Sequence, residues 1–126
     1  MKEITYTFLV TLGFVARKKR KVFRDACVRS DFSEAVMKGM QQDDIKVVTI
    51  RFYKDCAAAV TLHEPIGIPP DKVFQMIKKH SRDVMAKHFP KAETIWTRQY
   101  WSCADGMEPE KEQDFIAFIE RQKGRT

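Results

Sequence analysis

A dense run of positively charged residues is the first feature of this chain that could take part in chemistry. Six of the eight residues from position 17 to position 24 are cations, namely Arg17, Lys18, Lys19, Arg20, Lys21 and Arg24. Such a run favours contact with the phosphates of a nucleic acid, which supply affinity but no sequence readout by themselves. From the sequence alone, a solvated turn is an equally good interpretation of the same residues.

A further cation lies among aromatic residues later in the chain. Arg98 comes shortly before Tyr100 and Trp101 in a segment with the pattern of a strand. Aromatic side chains can stack on unpaired bases, and a guanidinium group beside them can neutralise a phosphate. Packing of the tryptophans against a helix is at least as common, so both uses stay open.

The residues that could ligate a metal or act as nucleophiles are isolated from one another. Cys27, Cys56 and Cys103 stand singly, which disfavours both a disulfide framework and a structural zinc site. His80 and His88 are eight positions apart on one predicted helix. That spacing separates them by about 12 Å along the axis, so one ion cannot bind both.

Length and composition limit the classes of protein to be considered. The chain has 126 residues, which predicts a single domain over 1–126. Its content of 44% hydrophobic and 32% charged residues is typical of a folded globular protein, and no apolar run is long enough for a membrane span. We expect a cytoplasmic protein. The net charge of +6 suggests an anionic partner such as a nucleic acid.

Hydrophobic periodicity predicts the elements that position these residues. Apolar alternation predicts four strands, over about 1–12, 45–53, 56–63 and 94–103. Helical spacing and capping residues predict three helices, from Ser30 or Asp31 to Met40, from Pro70 to Pro90, and from Pro109 to Gln122. The order βαββαβα predicts an α+β fold, a ferredoxin-like sandwich with an antiparallel sheet.

The third predicted strand opens with four small residues, Cys56 followed by three alanines. Alanine is a poor strand former because it offers almost nothing to pack against its neighbours. The stretch therefore indicates that a group that once filled the space beside this strand has been lost, or that another group still has to fit there.

Several segments, in order, resemble one known family over nearly the whole chain. They are "TYTFLVTLGFVARKKRKVF", "IGIPPDKVFQMIKKHSRDVMAKHFP", "IWTRQYWSCADG" and "FIAFIERQ". In order and spacing they are similar to the single-tyrosine HUH transposases of small bacterial insertion sequences, which include the REP-associated tyrosine transposases. The resemblance implies a ferredoxin-like homodimer that recognises DNA hairpins in single strands and cuts them with a tyrosine that attacks phosphorus.

The same resemblance implies where the chemistry of the family would fall in this chain. Two family histidines that hold a divalent metal match Cys56 and Ala58, and the family's nucleophilic tyrosine matches Phe118. Only the family's metal-binding glutamine keeps its type, as Gln122. Alanine cannot ligate a metal and phenylalanine has no oxygen nucleophile. We therefore expect no bound divalent metal, no catalytic residue, and a small-sided third strand because a metal site has been emptied.

Three interpretations follow. The leading one is a catalytically inactive transposase-like protein that binds hairpin or single-stranded DNA. The second is an active, metal-dependent nicking or strand-transfer enzyme with a site rebuilt from Cys56, Gln122, Asp55 or Glu64. The third is a generic ferredoxin-like module that binds RNA or protein. It ranks last because the third strand offers alanines where RNA-binding modules of this shape present aromatic residues.

Overall fold

The computed structural model describes residues 8–65, 67–92 and 94–122. Its strands are β1 (Leu9–Val15), β2 (Val47–Tyr53), β3 (Ala57–His63) and β4 (Trp101–Ala104). Its helices are α1 (Ala26–Gln42), α2 (Pro70–His88) and α3 (Pro109–Arg121). The strands form one antiparallel sheet in the order β2-β3-β1-β4, with β3 and β1 in its centre. The predicted ferredoxin-like α+β sandwich is thereby confirmed.

The alternation of β1 separates the helices onto two faces of the sheet. Phe14 lies opposite Ala58, and its ring centroid is 4.7 Å from that of Phe74 on α2. Gly13 is the preceding residue, so it faces the other way, and there it lies under the ring of Phe115 on α3. One face of the sheet therefore packs on α1 and α2, and the opposite face packs on α3.

The face toward α1 and α2 carries most of the aromatic core. Aromatic rings of β1, β2, α1, α2, the segment before α1 and the segment after α2 pack together. Their neighbouring centroids are 4.7–6.1 Å apart. The rings belong to Phe14, Phe23, Phe32, Phe52, Phe74 and Trp96. Close aromatic packing of this kind fixes the sheet against the two helices.

The first strand extends beyond its predicted end at about residue 12. Residues 1–7 of the predicted strand, with Ile4 and Tyr6, lie outside the described residues. The strand continues to Val15 because Gly13, Phe14 and Val15 pair with the three alanines of β3. The basic run therefore follows the strand directly.

Helix α1 begins earlier than predicted. The predicted start at Ser30 or Asp31 is wrong, because the helix begins at Ala26. The Asp25 carboxylate caps it by accepting a 2.7 Å hydrogen bond from the backbone N–H of Cys27.

The fourth strand is shorter than predicted. Strand pairing is regular only over Trp101–Ala104, and Trp96 forms one isolated bridge to Ala16. Between them the Thr97 hydroxyl donates to the carbonyl of Gln99 at 2.8 Å, which closes a local turn that interrupts the ladder.

Candidate nucleic-acid interface

The basic run forms a segment, residues 17–24, that folds back onto the turn between β2 and β3. A single 3-10 turn spans Arg17–Lys19. The backbone N–H of Ala16 donates to the carbonyl of Cys56 at 2.8 Å, and that of Phe23 donates to the carbonyl of Asp55 at 2.9 Å. The basic segment is thus anchored at both ends on the same hairpin and is not a freely solvated turn.

The backbone around this contact is strained. Lys54 and Asp55 both have positive φ, at 54° and 59°, and the N–H of Cys56 donates to the carbonyl of Tyr53 at 3.1 Å. This is the geometry of a type I′ hairpin turn, which Asn-Gly forms far more readily. Lys18 and Lys19 of the basic segment also have positive φ. Left-handed conformations in residues other than glycine tend to cluster at functional sites.

The Cys56 thiol is buried beneath the basic segment, with 3% of the residue exposed. Burial raises the pKa of this thiol, although the positive charges of Lys19 and Lys21 act in the opposite direction. The thiol is therefore held in its neutral form, which is a poor metal ligand and a poor nucleophile.

The three alanines of β3 divide between the two faces of the sheet. Ala58 lies between Phe14 and Phe52 in the sheet register, on the face that packs on α1 and α2. Ala57 and Ala59 occupy the face toward α3, where Ala59 lies beside Gly13. Packing beside aromatic neighbours therefore accounts locally for the small side chains of β3. The structure does not bring Ala58 and α3 together on one face.

Helix α3 is positioned by residues that the sequence analysis did not single out. The Tyr53 hydroxyl donates to the Glu112 carboxylate at 2.7 Å, and the Arg51 guanidinium lies 3.3 Å from the same carboxylate. The Trp101 indole N–H donates to the Asp114 carboxylate at 2.8 Å. Burial, together with the hydrogen bond to Glu112, raises the pKa of Tyr53 to about 12. Neither the β-strand alternation nor the helical spacing indicates these cross-element pairs.

The remaining positions predicted from the resemblance lie on the last turns of α3. Phe118 is part-buried, with its ring centroid 6.3 Å from that of Phe115, and Gln122 follows the helix as its C-cap. The Lys19 ammonium donates to the Glu120 carbonyl at 3.4 Å. The basic segment therefore connects the β2–β3 turn to the end of α3, at one end of the sheet.

The predicted DNA-binding cations fall into two groups. Lys18, Arg20, Lys21 and Arg24 are exposed along the basic segment, and Lys19 is part-buried. Arg17 and Arg98 instead line a groove of about 760 Å³ beside the C-terminal half of α2. Thr94 accepts a hydrogen bond from the Arg17 guanidinium at the edge of this groove.

Other ligand types are dispersed over the described part of the chain. Within 8–65, 67–92 and 94–122, no group of three or more His, Cys, Asp or Glu residues could hold a metal ion. His80 pairs with Asp43 at 2.7 Å, and His88 pairs with Asp31 at 2.8 Å. Both pairs join α1 to α2, so these histidines have structural partners.

One proposed ligand of a rebuilt site, Glu64, lies at the opposite end of β3 from Cys56. Glu64 follows the last residue of β3, whereas Cys56 precedes its first. Eight residue steps of about 3.3 Å each separate Cys56 from Glu64 by about 26 Å. A rebuilt site that combines Glu64 with Cys56 is therefore excluded in this structure.

None of the helices in the described ranges is long and apolar enough to cross a membrane.

Comparison with known sequences identifies the family. The profile of the family described as "Transposase IS200 like" matches residues 5–122. The chain belongs to this family of IS200-like transposases. A comparison with curated protein sequences finds no match.

Solved structures of transposases share the fold. One is a protein of Deinococcus radiodurans R1 assigned as a transposase, with a TM-score of 0.77 and 16% sequence identity over 97% of this chain and 98% of that one. Another is a REP-associated tyrosine transposase bound to a REP hairpin, with a TM-score of 0.56 and 13% identity over 98% of this chain and 76% of that one. At these identities the likeness concerns the fold alone.

Proposed function

We propose that this chain binds hairpin or single-stranded DNA and has lost the strand cleavage for which its family is built. The observation that carries the proposal is the anchored basic segment, which presents its cations beside a buried thiol and alanines in place of metal ligands. An anchored backbone loses little conformational freedom when the cations that it carries neutralise phosphates. The structural neighbour solved with a REP hairpin supports the class of ligand by analogy.

The residues at the family's metal positions do not fit a divalent metal. Hard cations such as Mg²⁺ and Mn²⁺ prefer carboxylate and carbonyl oxygens. Cys56 offers a neutral, buried thiol, Ala58 offers no donor atom, and Gln122 alone offers an amide oxygen. The face of β3 toward α3 carries Ala57 and Ala59, so placing the family's metal-binding positions one residue further along gives the same result.

The resemblance assigns the tyrosine nucleophile to the position of Phe118, and among the described residues neither Tyr53 nor Tyr100 is placed to replace it, since the ring of Tyr100 stacks on Phe74 of α2. A phenyl ring has no oxygen with which to attack phosphorus. Tyr53 faces α3, but its hydroxyl is bound to Glu112 and its pKa is raised to about 12. The phenolate of Tyr53 is therefore disfavoured at physiological pH.

The proposal extends to the assembly and the compartment. Strand β2 lies at an edge of the sheet, so its outer backbone groups can pair with a strand of a second copy. We place such a homodimer in the cytoplasm, where the DNA is.

Fluorescence-anisotropy titration tests the binding half of the proposal. The probes are labelled hairpins from the genomic sequence around the gene, a scrambled single strand and a plain duplex, each at two salt concentrations. We expect one hairpin to be preferred by about tenfold or more, which corresponds to about 1.4 kcal/mol. Light scattering on the same samples gives the stoichiometry, expected as two chains of 14.7 kDa per complex.

A triple variant isolates the basic segment. Lys18→Gln/Arg20→Gln/Lys21→Gln removes exposed cations and leaves the Lys19 contact with α3 in place. We expect the salt dependence of binding to fall by about two to three in slope, at about 0.9 per phosphate contact. The control Lys38→Gln/Lys46→Gln/Lys72→Gln removes the same charge from exposed sites elsewhere in the chain and should keep most of the slope.

A cleavage assay tests the proposed loss of strand cleavage. After incubation with Mg²⁺ or Mn²⁺, end-labelled hairpin should run unchanged, with no covalent protein–DNA adduct on a denaturing gel. An adduct would show that cleavage is retained and would overturn the proposed inactivity. Equal binding to all probes would instead reduce the function to nonspecific attraction to phosphates.

A further inference from the structure

Lysine residues adopt left-handed backbone conformations at one place in this fold. Among the described residues, six residues other than glycine have positive φ, and three of them are aspartates, which adopt this conformation comparatively readily. The other three are Lys18 at 56°, Lys19 at 49° and Lys54 at 54°. Two of these lysines belong to the basic segment, and the third lies in the β2–β3 turn on which that segment is anchored. The disfavoured lysines therefore lie together in the fold.

Lys54 is poorly suited to the turn that it occupies. It takes the first of the two central positions of the type I′ turn, and Asp55 takes the second. Asparagine followed by glycine suits these two positions best. Lysine has neither the short polar side chain of asparagine nor the conformational freedom of glycine, so it makes the turn less stable. The turn is therefore weakened at a position where the chain carries a positive charge.

The backbone places Lys54 beside both ends of the basic segment. The carbonyl of Asp55 accepts the hydrogen bond from the N–H of Phe23 at 2.9 Å. The carbonyl of Cys56 accepts the hydrogen bond from the N–H of Ala16 at 2.8 Å. Because these two acceptors directly follow Lys54 in the chain, the lysine of the turn and the cations of the basic segment belong to one surface.

Positive charge converges on this turn. Burial raises the pKa of the Cys56 thiol at the end of the turn, and the nearby charges of Lys19 and Lys21 act against that rise. Lys54 is exposed, and the ion pairs found within 8–65, 67–92 and 94–122 do not include it. Its ammonium group is therefore open to an anion that already contacts the basic segment.

We infer that Lys54 contacts a DNA phosphate together with the basic segment, and that this contact is the role of the strained lysine in the turn. The inference rests on the proposed DNA-binding function and adds to it a cation from a different part of the chain. The hydrogen bond from the N–H of Cys56 to the carbonyl of Tyr53, at 3.1 Å, closes the turn and fixes the backbone of Lys54 before DNA binds. Stability and binding are therefore opposed at this position, because the residues that suit the turn best cannot make the contact.

Two neighbouring substitutions test this inference, because each introduces the residue that the turn prefers. Lys54→Asn relieves the strained backbone and should raise Tm by a few degrees. It also removes one phosphate contact, so the salt dependence of hairpin binding should fall by about 0.9 in slope and binding at 0.1 M salt should weaken about eightfold. Asp55→Gly relieves strain without removing a positive charge. It should raise Tm as well, keep the slope, and bind at least as tightly as the wild-type protein.

Two further variants separate the charge of Lys54 from general effects. Lys54→Arg keeps the positive charge and should retain the salt dependence of the wild-type protein. Lys46→Asn removes one charge from an exposed site just before the opposite end of β2, and it should leave the slope nearly unchanged. Anisotropy titrations of one hairpin at several salt concentrations measure the slope for each variant, and thermal unfolding of the same samples measures Tm.

The outcomes separate this inference from the function on which it rests. If Lys54→Asn binds hairpin with the wild-type slope and affinity, Lys54 makes no phosphate contact and DNA binding stands. If Lys54→Asn and Asp55→Gly weaken binding alike, the shape of the turn matters and the ammonium contact is wrong. If Lys46→Asn lowers the slope as much as Lys54→Asn, the effect is one of net charge and the inference falls. If no hairpin binds to the wild-type protein at all, both proposals fall.

Discussion

The two faces of the sheet hold their helices in different ways. On one face, six aromatic rings join β1 and β2 to α1 and α2, and two histidine–aspartate pairs join the helices to each other. On the other face, α3 is held by Phe115 over Gly13 and by side-chain hydrogen bonds to Glu112 and Asp114. The first face is an apolar core that is insensitive to single polar contacts, whereas α3 depends on a few identifiable groups.

This difference bears on function because α3 is where the family's chemistry would be placed. A helix held by few contacts can move or be remodelled without loss of the rest of the fold. The aromatic face supports the groove that Arg17 and Arg98 line beside α2, so these two predicted DNA-binding cations rest on the more stable half. We expect DNA binding to survive changes that loosen α3.

The largest expected effect comes from the aromatic face. Phe32→Ala removes a fully buried ring that contacts Phe23, Phe52 and Trp96. The cavity should lower the free energy of unfolding by about 3–5 kcal/mol. Chemical denaturation measures this loss. Hydrogen exchange should then show all elements destabilised together, and selective opening of α3 in this variant would contradict the division between the faces.

A smaller and more local effect is expected at Gly13. A Cβ atom added there would lie 2.3 Å from Cε1 of Phe115, a ring that is fully buried and has no room to shift. Gly13→Ala should therefore displace α3 and lower the free energy of unfolding by about 1–3 kcal/mol. Hydrogen exchange should show faster exchange of α3 amides than of α1 and α2 amides. Uniform exchange would show that the two faces are coupled.

The sequence predicts much of this arrangement because local signals decide it. Pro70 and Pro109 begin α2 and α3 as expected, apolar alternation marks β2, and a short apolar run marks β3. The start of α1 could not be predicted because Asp25 and Ser30 are both good N-caps. The burial of Val28, which places the first turn against the core, is visible only in the folded structure.

The faces of β3 could not be predicted from the sequence. Period-two alternation has no contrast in a run of three alanines, so only pairing with Phe14 and Gly13 shows which alanine faces which helix. The groove was missed for a different reason. Arg17, Lys78, Arg82 and Arg98 come from distant positions in the chain, and only the tertiary fold brings them together.

The smallest expected effect concerns a single hydroxyl on the α3 face. Tyr53→Phe removes the 2.7 Å hydrogen bond to Glu112 and should cost about 1 kcal/mol at neutral pH. Tyr100→Phe is a matched control on the other face. Its ring stacks on Phe74 at 4.7 Å, and among the described residues its hydroxyl has no hydrogen-bond partner, so the change should be within about 0.5 kcal/mol. Equal losses of unfolding free energy in both variants would show that the Tyr53–Glu112 hydrogen bond does not anchor α3.

The pH dependence of stability tests the same anchor without relying on the size of that loss. Burial and the hydrogen bond to Glu112 raise the pKa of Tyr53 to about 12 in the folded protein, against about 10 in an unfolded chain. The folded state therefore favours the neutral phenol. The stability that Tyr53 contributes is complete below about pH 10 and is lost as the pH rises through about 12. Denaturation across this range should give a steeper decline for the wild-type protein than for Tyr53→Phe. Parallel declines would mean that Tyr53 titrates as freely in the folded protein as in the unfolded chain, and the anchoring of α3 would then rest on its other contacts, among them Phe115 and the Trp101–Asp114 hydrogen bond.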